Sequence, residues 1–90
     1  MLPDGVARAF QLERFGEFLT LEDGASPRTI EAYARDLGRL GSWSAGRGLT
    51  SPEDLTPHLL RDFVYHLKDI GLSPSSIRRS VSAIHTYFKF

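Results

Sequence analysis

The sequence predicts an all-α domain of four helices built as two helical hairpins, and three observations predict it. Serine or threonine precedes proline four times, at Ser26-Pro27, Ser51-Pro52, Thr56-Pro57 and Ser73-Pro74. A hydroxyl cap accepts an orphan backbone N–H, and proline at the first helical position has no N–H to leave unsatisfied. Glycines stand where those helices should stop, at Gly24, at Gly46 with Gly48, and at Gly71. Between these marks the apolar residues recur at helical spacing, with no alternating β-branched run to compete.

The first helix is expected over about residues 6–22, with Leu12, Phe15 and Leu19 as its apolar stripe. Val6 and Phe10 point elsewhere and form a candidate apolar patch. The second helix, 27–46, carries Ile30, Tyr33, Leu37 and Leu40 on one side and Arg28, Arg35 and Arg39 on the other. Its Ala34, Gly38, Gly41 and Ala45 make a ridge of small residues. Such a ridge admits a closely crossing helix or the backbone of a ligand. Residues 51–54 read as one extra turn. The third helix, 57–70, buries Leu60, Phe63, Val64 and Leu67, and Leu55 before its cap should staple onto Leu60. The fourth, 74–89, has Ile77, Val81, Ile84 and Phe88 as its stripe, with Leu72 meeting Ile77. Its other face shows Ser75, Arg78, Ser82, His85 and Lys89, with Arg79 and Thr86 at the margin. Short connections favour antiparallel neighbours. Gly24 to Ile30 is echoed by Gly71 to Ile77, 47 residues later, although two copies are too few for a solenoid.

Composition narrows the function. Ninety residues allow one domain with a small core, burying somewhat over ~60% of the unfolded surface. No cysteine is present, which removes disulfides, thiolate metal sites and a cysteine nucleophile. No apolar run reaches the ~18 residues of a membrane span and no signal peptide opens the chain, so a soluble domain of cytoplasmic type with no membrane partner is expected. His58, His66 and His85 lack a metal-ligand spacing, and Gly41, Gly46 and Gly48 lack the Lys-Ser/Thr of a phosphate loop. Neither a metal nor a cofactor is expected.

The 11 basic and 11 acidic residues cancel, but not locally. Residues 26–47 hold four Arg and two acids, and residues 73–90 hold three bases and no acid. Residues 1–25 hold two Arg and five acids, and residues 48–72 two bases and four acids. The two Ser-Pro helices therefore carry the positive charge. A few arginines on a polar helix face are ordinarily just solvated. Two such faces, each opposite a core stripe and each interleaved with Ser and Thr, instead fit a phosphate-binding side. Salt screens charges beyond about 10 Å, so a neutral chain can still present it.

Ser-Pro-Arg-Thr-Ile-Glu-Ala-Tyr-Ala-Arg-Asp-Leu at 26–37, Trp43, Gly-Leu-Thr at 48–50 and Gly-Leu-Ser-Pro-Ser-Ser-Ile-Arg-Arg-Ser-Val-Ser-Ala-Ile-His-Thr-Tyr-Phe at 71–88 carry a resemblance. Over about residues 10–90 the chain resembles the N-terminal core-binding (SAM-like) domain of tyrosine recombinases, or phage-type integrases, of the bacterial Xer type. The resemblance implies a four-helix unit forming one half of a C-shaped clamp on double-stranded DNA, with the second and fourth helices against it. It implies Arg28, Arg35, Arg39, Ser75, Arg78, Arg79, Ser82, His85 and Lys89 as DNA-binding residues. Relatives often carry a basic residue at the position of Ala34 and an arginine at that of His85; a histidine there makes one contact pH-dependent.

The family's catalytic Arg, Lys, His-x-x-Arg and nucleophilic Tyr belong to a C-terminal domain. The resemblance places the linker to that domain at Phe90, so this chain is expected to be a non-catalytic fragment. Tyr33, Tyr65 and Tyr87 are not that nucleophile. It also implies other recombinase subunits as partners, in a tetramer on paired sites. The alternative is a helical protein–protein module for oligomer assembly, working through Val6 and Phe10.

Overall fold

The computed structural model describes residues 4–90, the side chains of Asp4, Val6 and Ala7 lying outside that description. Its elements are α1 (Asp4–Ala9), α2 (Leu12–Glu22), α3 (Pro27–Ala45), a 3-10 turn at Pro52–Asp54, α4 (Pro57–Asp69) and α5 (Pro74–Tyr87). Among the described residues there is no strand. The fold is all-helical, as the caps and periodicity require.

Those caps form as the sequence demands. The Ser26, Thr56 and Ser73 hydroxyls accept the backbone N–H of Thr29, Leu59 and Ser76, each at 3.2 Å. Asp54 closes the short turn by accepting the Ser51 N–H at 3.3 Å. The two Ser-Pro starts are reached through the same reversal. Gly24 and Gly71 adopt φ of 61° and 89°, a left-handed backbone in which a side chain is strained. The following N–H groups, of Ala25 and Leu72, then reach back to Leu19 O and Leu67 O. Each hairpin, α2–α3 and α4–α5, turns on this device.

α3 is the axis of the domain, packing against α1, α2 and α5. Its Leu37 and Leu40 share one core with Phe10, Phe15, Leu19, Phe63, Leu67, Ile84 and Tyr87. A fully buried leucine or phenylalanine contributes roughly 1.5–3 kcal/mol, so these side chains supply most of the stability. Gly38 and Gly41 are buried, which fits the close-crossing reading of the small-residue ridge; Ala45 is exposed.

Three sequence expectations change. The single helix over 6–22 is broken at Phe10–Gln11, where Gln11 takes φ of 52°. Left-handed backbone costs a non-glycine residue roughly 1–2 kcal/mol. The return is that Phe10 turns inward to 1% exposure, against Tyr87. Phe10 is therefore core rather than patch, and the side chain of Val6 lies outside the described residues. The core face of α5 is also rotated from the expected stripe. Ser80, Ala83, Ile84 and Tyr87 are buried, while Val81 and Phe88 stay 40% and 45% exposed. The reason is the partner: α5 lies on α3, and small Ser80 and Ala83 allow the approach. Finally, Leu60 and Val64 are half-buried, leaving Phe63 and Leu67 as the α4 core.

Candidate functional site

At about 100° per residue, Arg28, Arg35 and Arg39 fall within about 40° of one another on α3, and Ser75, Arg78, Ser82 and His85 within about 80° on α5; Lys89 follows in the turn beyond Tyr87, where the helix ends two residues earlier than expected. Arg28, Arg35, Ser75, Arg78, Ser82, His85 and Lys89 are exposed, and Arg39 is partly so. Among the described residues Arg28, Arg35, Arg78 and Lys89 form no ion pair. Their charges face solvent.

The two helices are joined through one of the two acids of residues 26–47. Asp36 on α3 is 1% exposed. Arg79 Nε–H donates to its Oδ2 and Arg79 Nη2–H to its Oδ1, both at 2.9 Å. The buried Ser80 hydroxyl donates to Oδ1 at 3.1 Å. Arg39 Nη1 stands 3.9 Å from the same oxygen. A carboxylate removed from water is tolerable only with such partners. The hydrogen bond to Asp36, and then its charge, raise the Arg79 pKa above the ordinary arginine value, so this guanidinium stays charged.

Arg79 is thus placed differently from its companions. Expected at the margin of a DNA-binding face, it spends one edge on Asp36 and keeps a side chain 40% exposed. Asp36 is the residue that the sequence reading missed. A signal was present, because an acid three residues after Tyr33 and four before Leu40 lies beside the apolar stripe. Its partner, 43 residues away, was not visible to local pattern.

Other polar groups gather no site. His58 Nε2 lies 3.7 Å from Asp62 on the surface of α4, one turn away. Arg47 stacks 4.4 Å from the centre of the half-buried Trp43 ring, a cation–π contact that ties down the end of α3. Tyr87, by contrast, is 6% exposed and its hydroxyl donates to Phe10 O at 2.6 Å. Burial, and then the charge of Glu53, push its pKa up to about 12. Among the described residues no group of three or more His, Cys, Asp or Glu could hold a metal ion, and no helix is long and apolar enough to cross a membrane.

Comparison with known proteins agrees with this architecture. The family described as "Phage integrase, N-terminal SAM-like domain" matches residues 12–90. The tyrosine recombinase XerD of Chlorobaculum tepidum is 43% identical over 79 residues, covering 88% of this chain and 26% of that protein. The tyrosine recombinase XerC of Xanthomonas campestris pv. campestris is 35% identical over 86 residues, covering 96% of this chain and 27% of its own length. XerD of Rhizobium meliloti is 35% identical over 82 residues, covering 91% and 26%. The chain spans about a quarter of the length of the curated relatives it matches. No solved structure gives a significant match.

Proposed function

The chain belongs to the family of phage-integrase N-terminal SAM-like domains found in Xer-type tyrosine recombinases, and from that premise we propose that it is a module that holds a recombinase on duplex DNA through α3 and α5. The observation that carries the reading is the pair of exposed basic faces on two helices fastened together through Asp36 and Arg79. Arg28, Arg35, Arg39, Arg78 and Lys89 supply charge to the phosphate backbone. Ser75 and Ser82 supply hydroxyl donors, and His85 lies on the same face. Most such contacts position the protein, and the few that reach base edges specify sequence.

Strand cleavage and rejoining belong, on this reading, to the part of the relatives that this chain does not span. The phenol of Tyr87 is an unsuitable nucleophile, since it is buried, committed to Phe10 O and hard to deprotonate. Other recombinase subunits are partners of the longer protein rather than of this module alone. The reading as an assembly module through Val6 and Phe10 loses Phe10 from its apolar patch, because Phe10 is in the core.

The test is the salt dependence of duplex binding. Neutralising about four or five phosphates gives a slope near −4 for log affinity against log salt. Arg35→Ala or Arg78→Ala should each flatten that slope by about 1 and weaken binding across all sequences alike. The isolated domain should bind weakly, because a clamp with one jaw lacks avidity. A slope near zero, or no binding at low salt, would overturn the proposal.

A further inference from the structure

A side-chain guanidinium has five N–H donors in a rigid fork. Arg79 spends two of them, at Nε and Nη2, on the two oxygens of Asp36, leaving three on a side chain 40% exposed. Arg39, 38% exposed, stands at the same carboxylate. Two guanidinium groups around one acid leave a net positive charge at the seam between α3 and α5. Ser75 and Ser82, one turn either side of Arg79, border that seam on α5.

We propose that this cluster is a preformed seat for a single backbone phosphate, with Arg79 as the anchor, Arg39 beside it and Asp36 as the positioning residue that aims Arg79. The inference rests on the reading that duplex DNA is the ligand. An arginine whose rotamer is already fixed loses little freedom on meeting a phosphate, which is the advantage of holding it with an acid. A simple salt bridge between helices would need no exposed donors. A plain electrostatic surface would be better without Asp36.

That last contrast supplies the test. Binding of a fluorescein-labelled random-sequence duplex is measured by anisotropy across a salt series, for the 90-residue chain and two variants. Asp36→Asn adds one positive unit to the protein, so charge alone tightens binding. The seat requires it to weaken binding, by about tenfold for a misaligned charge-assisted hydrogen bond. Arg79→Lys keeps the charge but cannot span Asp36 and a phosphate together. Its salt slope should flatten by about 0.9, with affinity again about tenfold lower. Helicity and melting of each variant are read alongside, and if Asp36→Asn does not fold, Arg79→Lys decides. Tighter or equal binding by folded Asp36→Asn, or an unchanged slope and affinity in Arg79→Lys, overturns the seat. Failure of the parent chain to bind duplex overturns the DNA reading and the seat with it. That result is distinct because no variant then shows a signal.

Discussion

The N-terminal half of α5 meets α3 through Arg79 and Ser80 on Asp36, whereas its C-terminal end meets the α1–α2 joint and α2 through Tyr87 on Phe10 and Phe15. The first contact is polar and directional. The second is a cluster of rings, Phe15 and Tyr87 edge-on at 5.2 Å with Phe90 5.6 Å from Phe15, closed by one hydrogen bond. A buried ion pair contributes little net stability once desolvation is counted. Aromatic burial contributes much more but tolerates rotation. The polar seam therefore sets how α5 is turned, which decides where its basic face points, and the aromatic end sets how firmly the helix is held.

Phe15→Ala is the strongest challenge to that division. It should cost about 3–5 kcal/mol, the range for truncating a buried phenylalanine, read from denaturant unfolding. The salt slope of DNA binding should survive wherever the variant is still folded; a changed slope would mean that the aromatic end also steers the basic face. Tyr87→Phe keeps the ring and removes the bond to Phe10 O, at a cost of about 1 kcal/mol near neutral pH. Its pH dependence is more telling. The Tyr87 pKa is raised from 10.0 to about 12, so the folded state holds this proton more tightly than the unfolded chain does. The resulting stability is complete below pH 10 and is lost as pH rises toward 12. Melting temperatures from pH 9 upward should fall more steeply in the parent than in Tyr87→Phe, and parallel curves would contradict this. Ser80→Ala should be the mildest, under about 1 kcal/mol, because Arg79 still satisfies Asp36.

Much of the fold could be read along the chain because its signals are local. A hydroxyl-proline step marks a helix start from two residues, and Gly24 and Gly71 mark the reversals before the Ser-Pro helices. What was hidden depends on distant partners. Gln11 carries no mark of a left-handed joint, and the break there follows from Phe10 fitting against Tyr87, 77 residues on. The true core side of α5 runs through Ser80, and a serine becomes core only once Asp36 is known to receive it. Arg28, Arg35 and Arg78 were legible as exposed charge from helical spacing alone. The commitment of Arg79 was not, for the same reason that Asp36 was missed.

The bond from Tyr87 to Phe10 also bears on the order of events in folding. It joins positions 77 residues apart, so the whole intervening chain must be closed before it forms. Closure entropy rises with loop length and is recovered only when such contacts are made, which places this one late. The hairpins α2–α3 and α4–α5 are local and can organise first. The Tyr87–Phe10 contact then closes, and the phenol acts as a latch on the finished domain. Weakening it should quicken unfolding and leave the folding rate nearly untouched.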